Sequence, residues 1–349
     1  MISAANLTRG HRAAGIESNS FGKFGKFFLD AVGKGGRQVK PSKVEYVLTF
    51  DVGGSHVSAG LCRLPDLELI RTASGPLKLV DSFAAFVDLL HRLGIEAADS
   101  ELNLAGASLA VPGPFDLEAG VSLMEHKLQF LKNQDLRGAL ARSFNWQPNQ
   151  LRFLNDAAAY LLGEVGRGAV EGAERAVGLT LGTGIGSAFA IHGHYVTQDQ
   201  GVPPGGEIWN YPYAGTTVED LISTSRLKGD YLALTGDDKD VAEIAAGAKD
   251  DPAARQVFSE FGHHLGQVLR DVIAPFHPDM VVIGGGISRS SSLFLPVAEQ
   301  EIKGLGFRVV TSTLLDRAPL IGAAQFWREE TSPAVNTQPL QVTAARSSD

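Results

Sequence analysis

The sequence predicts an α/β protein of two lobes separated by a cleft. Three observations carry that expectation. At 349 residues the chain is longer than one ordinary core, and by length it should hold roughly two domains. Near residue 45 it opens with three short strands on tight connections, then an amphipathic helix. Past residue 175 the plan starts again, with paired strands around a glycine-rich turn and helices after them.

In order along the chain, residues 1–44 carry Arg9, Arg12, Lys23, Lys26, Lys34, Arg37 and Lys40 among Gly and Ser, and read as a poorly ordered extension ahead of the fold, with a targeting peptide as the alternative. A first lobe is expected over 45–155. Glu45 to Asp51 is a β-branched and aromatic strand, Gly53-Gly54 turns it, and Ser55 to Arg63 and Leu67 to Thr72 continue an antiparallel meander. Residues 81–93 begin with capping residues and repeat apolar positions at helical spacing. Ala105 to Val111 is a strand that must leave its sheet at Pro112-Gly113-Pro114, because proline supplies no ladder donor. A helix near 135–143 and the short strand Leu151 to Leu154 follow, delivering Asn155-Asp156 to the start of a strongly helical run.

The second lobe is expected over 156–330. Ala176 to Leu181 and Ser187 to Ile191 pair around Gly182-Thr183-Gly184-Ile185-Gly186. A long helix from Ala253 to Ile273 leads to the apolar strand Met280 to Ile283 and the loop Gly284-Gly285-Gly286. Pro319 to Trp327 reads as a closing helix, and residues 331–349, rich in Pro, Ser, Thr and Gln, read as a tail.

Composition narrows the function. Hydrophobic residues make up 44% and charged residues 20%, a globular balance. The net charge of −8 and the lack of a dense basic run in the folded part speak against nucleic acid as a partner. Cys62 is the single cysteine, which precludes an intrachain disulfide and a cysteine-rich zinc site. No stretch approaches the ~20 apolar residues that span a bilayer. No membrane partner is expected, and a reducing cytoplasm fits.

Three glycine clusters could carry chemistry. Asp51-Val52-Gly53-Gly54-Ser55 puts a carboxylate at a strand end, then bare backbone amides that can approach an anion, then a hydroxyl. Alone, a Gly-Gly pair between strands is a hairpin turn. The arrangement recurs at Gly182 to Gly186, and Gly284 to Gly286 stands where open α/β sheets bind ligands. Neither the phosphate-binding Gly-x-x-x-x-Gly-Lys-Ser/Thr loop nor a Gly-x-Gly-x-x-Gly turn opening a helix is present.

Taken in sequence, Asp51-Val52-Gly53-Gly54-Ser55, Pro112-Gly113-Pro114-Phe115-Asp116, Asn155-Asp156-Ala157-Ala158-Ala159, Leu181 to Gly186 and Gly284 to Ser288 resemble the successive signatures of the ROK family of repressors, open-reading-frame proteins and sugar kinases. The resemblance implies an actin/hexokinase-like fold of two ribonuclease H-like lobes closing on a sugar and Mg-ATP. It implies that Asp51 lies near Mg²⁺, held through water or phosphate, and that Gly53, Gly54, Ser55, Thr183 and Gly184 cradle phosphates. The Gly284, Gly285 and Gly286 loop would meet the adenosine. Asp156 matches the family's base, a role that phosphoryl transfer to a hydroxyl demands of a carboxylate; its rival role is to cap the following helix. Glu207 and Glu219 resemble carboxylates that accept from sugar hydroxyls, with Gly113 and Asn155 beside them, and a small-molecule sugar is the expected partner. A cytoplasmic homodimer is what the family suggests.

The chain departs from the family in two places. Relatives follow the first of these Glu residues with a His and a cysteine trio that bind zinc, whereas here the run is Trp209 to Thr217, with Asn210 at the His position. No zinc is therefore expected. Lys127 stands where glucose-type relatives carry a sugar-contacting Asn. His263 and His264 lie mid-helix with no partner at metal spacing. Beside an ATP-dependent kinase stand three alternatives: a non-catalytic sugar-binding regulator, a degenerate relative kept as a binding scaffold, and a polyphosphate-dependent sugar kinase.

Overall fold

In a computed structural model, residues 45–98, 103–125 and 128–331 are described. The expected extension over 1–44, Lys127 and nearly all of the expected tail, residues 332–349, lie outside them. The chain runs β1 (Tyr46–Val52), β2 (His56–Arg63), β3 (Glu68–Pro76), α1 (Phe83–Ala97) and β4 (Leu104–Val111). A small hairpin, β5 (Phe115–Asp116) and β6 (Val121–Ser122), precedes α2 (Leu136–Phe144), β7 (Leu151–Asn155) and α3 (Asp156–Arg167).

Five strands form one sheet in the order β3-β2-β1-β4-β7. The meander is antiparallel, while β4 and β7 run parallel to β1, so Asp51 sits beside Ala110 and Val111 beside Asn155. The C-terminal ends of three parallel strands therefore open on one edge. That edge is where ligands bind in open α/β sheets.

The second half begins with β8 (Arg175–Leu181), β9 (Ile185–Ile191) and β10 (His194–Val196). The hairpin β11 (Pro212–Tyr213) and β12 (Thr216–Thr217) leads into α4 (Val218–Leu221), α5 (Thr224–Thr235), α6 (Val241–Gly247) and α7 (Pro252–Val268). After α7 come one π turn (Leu269–Ile273), β13 (Met280–Gly284), α8 (Ser291–Glu301), β14 (Arg308–Thr311) and α9 (Ala318–Thr331). The second sheet has the order β10-β9-β8-β13-β14, the same antiparallel-then-parallel plan as the first. The repeated plan read from the sequence is thus a repeated topology.

Each sheet has its own core. Phe50, Leu48, Leu90, Leu93 and Leu109 fill the first, and Phe189, Phe258, Phe276, Phe294 and Ile283 the second, all inaccessible to water. Burying each such side chain contributes ~1.5–3 kcal/mol. Between the sheets, α3 packs closely on α9: Gly163 and Gly322 lack the side chains that would strike the carbonyls of Ala318 and Ala159. The far side of α9 returns to the first sheet, where Ile321, Ala324 and Trp327 meet Val47, Cys62 and Leu67. Buried Glu164 on α3 fixes the β14–α9 connection by accepting from Ser312 Oγ and from Leu314 N (3.2 Å), and it also accepts from Ala169 N at 2.7 Å.

Candidate active site

Asp51 lies one residue before the end of β1 and is half-buried. Burial first, then the negative charges of Asp156 and Asp316, pushes its carboxyl up to about 7. Three carboxylates thus share one electrostatic field, from the end of β1, the start of α3 and the β14–α9 connection.

Asn155 caps α3, its Oδ1 accepting from Ala157 N at 2.9 Å and Ala158 N at 3.3 Å. The capping that could have explained Asp156 away is therefore supplied by its neighbour. Asp156 is the first helical residue, and its Oδ1 accepts from Ala157 N at 2.8 Å. The start of α3 abuts the start of β9: a Cβ added to Gly186 would come within 3.2 Å of Ala157 Cβ. β9 is the strand that follows the 182–184 turn. Asn155 Nδ2 lies about 4.0 Å from the position a Gly113 side chain would take.

The turn between β8 and β9 is held from outside. Gly182 O accepts from both Thr224 N and Thr224 Oγ1 at 2.9 Å, and Ile185 N donates to Glu219 Oε2 at 3.1 Å. A side chain at Gly184 would overlap that carboxylate. The loop after β13 lies against the same turn, because Gly285, at φ +82°, passes so close to Leu181 O that no Cβ fits. Gly284 is equally constrained, by the Tyr160 ring. On the first sheet the β1–β2 turn closes through Gly53 N to His56 O at 3.0 Å, and Ser55 Oγ is 3.3 Å from His56 Nδ1.

Three of the glycines in these turns stand clear of other residues. A Cβ at Gly54, Gly182 or Gly286 would meet nothing within 4 Å. Next to Gly54 and Ser55 opens a cavity of about 530 Å³, lined also by Leu77, Lys78, Leu128 and Phe130, a size suited to a small molecule. Asp51, desolvated and crowded by two like charges, favours a cation, and one carboxylate plus water and phosphate is how Mg²⁺ is commonly held. By its charge and burial Asp51 could hold such an ion.

The family model of the ROK family matches residues 48–330. The chain belongs to the ROK family. It is 26% identical to a glucokinase of Thermotoga maritima over 81% of this chain and 97% of that one. Its fold is that of a ROK hexokinase from Thermus thermophilus, with a TM-score of 0.66, 23% identity and coverage of 82% and 99%. It also matches a ROK glucokinase of Streptomyces griseus in complex with glucose and AMPPNP, with a TM-score of 0.65, 19% identity and coverage of 80% and 98%. The α/β, actin-like fold that the sequence resemblance implied is the fold observed.

Within this ROK fold, the segment carrying Glu207 hangs from β9 by one buried hydroxyl. Ser187 Oγ donates to Gly206 O at 2.7 Å and accepts from Ile208 N at 3.1 Å, gripping the chain on both sides of Glu207. Glu207 Oε2 accepts from Trp209 Nε1 at 2.9 Å, and its charge adds to burial in raising Tyr195 above the usual phenol value. Trp209 is 46% exposed and Asn210 is exposed beside it. Glu219 N donates to Trp209 O at 3.1 Å, joining this segment to the 182–184 turn. Tyr213 OH donates to Asp271 Oδ2 at 2.6 Å. His263 pairs with Glu301 at 3.0 Å, and burial lowers His264. Among the described residues no group of three or more His, Cys, Asp or Glu forms a metal-holding cluster, and no helix is long and apolar enough to cross a membrane.

Thr224, Ser187, Trp209 and Asp316 went unrecognised in the sequence. Ser223-Thr224-Ser225 does signal a helix start, but nothing local ties Thr224 to a carbonyl 42 residues away. Asp316 lacks any motif; only the Glu164-anchored connection brings it near Asp51.

Proposed function

We propose that this protein is an ATP-dependent sugar kinase that moves the γ-phosphoryl group to a hydroxyl of a hexose or related sugar, with Asp156 as the base. The observation that supports this most strongly is the approach of the start of α3, which carries Asp156, to the start of β9, the strand that follows the glycine turn. Membership of a family with named sugar kinases supports it too.

In this mechanism Asp156 accepts the proton of the attacking hydroxyl as the new O–P bond forms and the bond to the leaving diphosphate breaks. Asn155 keeps the carboxylate in place through the shared Ala157 amide. Gly113, Asn155, Glu207, Asn210 and Glu219 orient the sugar, carboxylates being suited to accept from several hydroxyls at once. Lys127, outside the described residues, is proposed to reach the same sugar. Gly53, Gly54, Ser55, Thr183 and Gly184 offer amides and hydroxyls to phosphate oxygens, and Gly284 to Gly286 border the nucleoside. Mg²⁺, held by Asp51 through water or phosphate, supplies positive charge to offset that of the phosphates. The fold is proposed to act as two lobes, 45–155 and 156–330, in a cytoplasmic homodimer.

Purified protein assayed with glucose, N-acetylglucosamine, N-acetylmannosamine and β-glucosides, using Mg-ATP and polyphosphate side by side, tests this function. Sugar-dependent ADP release supports it. Turnover with polyphosphate alone would reassign the donor, and sugar binding without turnover on any donor would point to a regulator.

A further inference from the structure

Trp209 stands in the open on a rigid support. Its carbonyl accepts from Glu219 N at 3.1 Å, and on either side of it Ile208 N donates to buried Ser187 Oγ at 3.1 Å and Tyr211 N donates to Ile208 O at 3.0 Å. Its indole Nε1 donates to Glu207 Oε2 at 2.9 Å. Main chain and ring are thus both held, yet Trp209 is 46% exposed, beside Glu207 and Asn210, which are exposed with it. Tryptophan is highly buried on average. The other two follow that rule: Trp146 is partly buried and stacks on Phe144 with ring centres 4.6 Å apart, and Trp327 is buried in the core.

We propose that Trp209 is a direct sugar contact: its indole forms a flat wall against the ring of a pyranose, and its N–H aims the Glu207 carboxylate at the hydroxyls of that ring. This rests on the sugar-binding part of the function proposed above. A pyranose is amphipathic, with C–H groups on its faces and hydroxyls around its rim. An indole whose N–H is bound to a carboxylate offers both complements side by side, an apolar face and a charged acceptor. Oε2 of Glu207 is committed to the indole, and Oε1 accepts from the sugar. Asn210 adds an amide that can donate and accept. Because the ring and the carboxylate hold each other and the main chain is fixed by Ser187 and Glu219, little rotamer freedom is lost when the sugar binds.

The full chain is titrated with glucose, N-acetylglucosamine, N-acetylmannosamine and a β-glucoside, followed by calorimetry and by tryptophan emission. Wild-type emission should change as sugar saturates. Trp209→Phe keeps a flat ring without the N–H: it should bind sugar about 3-fold more weakly and lose the emission change, although Trp146 and Trp327 remain. Trp209→Ala removes wall and donor together and should weaken sugar at least ~10-fold. Both variants should keep the melting temperature and the AMPPNP affinity of wild type. The contact is overturned if Trp209→Ala binds sugar as tightly as wild type, if the emission change survives in Trp209→Phe, or if Trp209→Ala weakens AMPPNP as much as sugar. None of these results touches the kinase function, which fails separately if wild type binds sugar but turns it over with no donor. Folded wild type that binds no sugar of the set would overturn both.

Discussion

Asn155 Oδ1 and Asp156 Oδ1 converge on a single amide, Ala157 N, at 2.9 and 2.8 Å. One N–H thus serves the helix cap and fixes the proposed base. Replacing Asn155 by Ala removes the cap at a cost of ~1 kcal/mol and leaves Asp156 to satisfy the helix end alone. We expect kcat to fall more than the sugar KM changes, with a modest loss in thermal stability; unchanged kcat would separate the cap from catalysis.

Asp51 titrates near neutrality, about 7 against an ordinary 3.8. Its folded value is the higher one, so the native state holds the extra proton between those limits. Its favourable contribution is present at low pH and is lost as pH rises through that window. Asp51→Asn should therefore be the more stable protein at pH 8 without ligands, and should lose most Mg²⁺-dependent nucleotide binding. In wild type near neutral pH, binding of Mg-ATP should release protons, read as a buffer-dependent binding enthalpy. No proton release would contradict a cation next to Asp51.

Gly54 and Gly286 have room for a methyl group, whereas Gly184 does not. Alanine at 54 or 286 should leave the melting temperature nearly unchanged while raising the nucleotide KM, because the added carbon occupies space that the proposed nucleotide site would use. Alanine at 184 must displace Glu219 and should lower both stability and activity. Full activity in Gly54→Ala would argue that this turn is only a hairpin.

Glu164 is fully buried and accepts from Ser312, Leu314 and Ala169. Its removal in Glu164→Ala strands buried donors and should cost at least ~3 kcal/mol, measured by denaturant unfolding. The β14–α9 connection loses its anchor, so Asp316 should move and the Asp51 titration should shift towards the ordinary carboxylate range.

Much of this architecture was legible in the sequence. Local signals fixed β1, β2 and β3, the capped α1 and the strand-to-helix step at Asn155-Asp156, because those elements are defined by alternation, turns and caps over a few residues. The long helix expected over 253–273 is observed as α7 ending in a π turn at Leu269–Ile273, a change of winding that apolar periodicity does not distinguish. Short elements such as β10, β14 and α4 carry too few residues to show a period. At the site, the glycine turns and Asp156 are marked by local pattern. Ser187 and Thr224 are not, since their roles exist only through partners distant in sequence. Glu219 was legible as a carboxylate in the right segment, but its place against Gly184 depends on how α4 packs on the β8–β9 turn.

The central claim is that Asp156 is the base. Pre-steady-state and steady-state phosphoryl transfer by Asp156→Asn, compared with wild type on whichever sugar wild type phosphorylates, tests it directly. The variant should lose at least ~10²-fold in kcat while its sugar and AMPPNP dissociation constants stay close to those of wild type. A variant that turns over as fast as wild type would show that the hydroxyl proton leaves by another route.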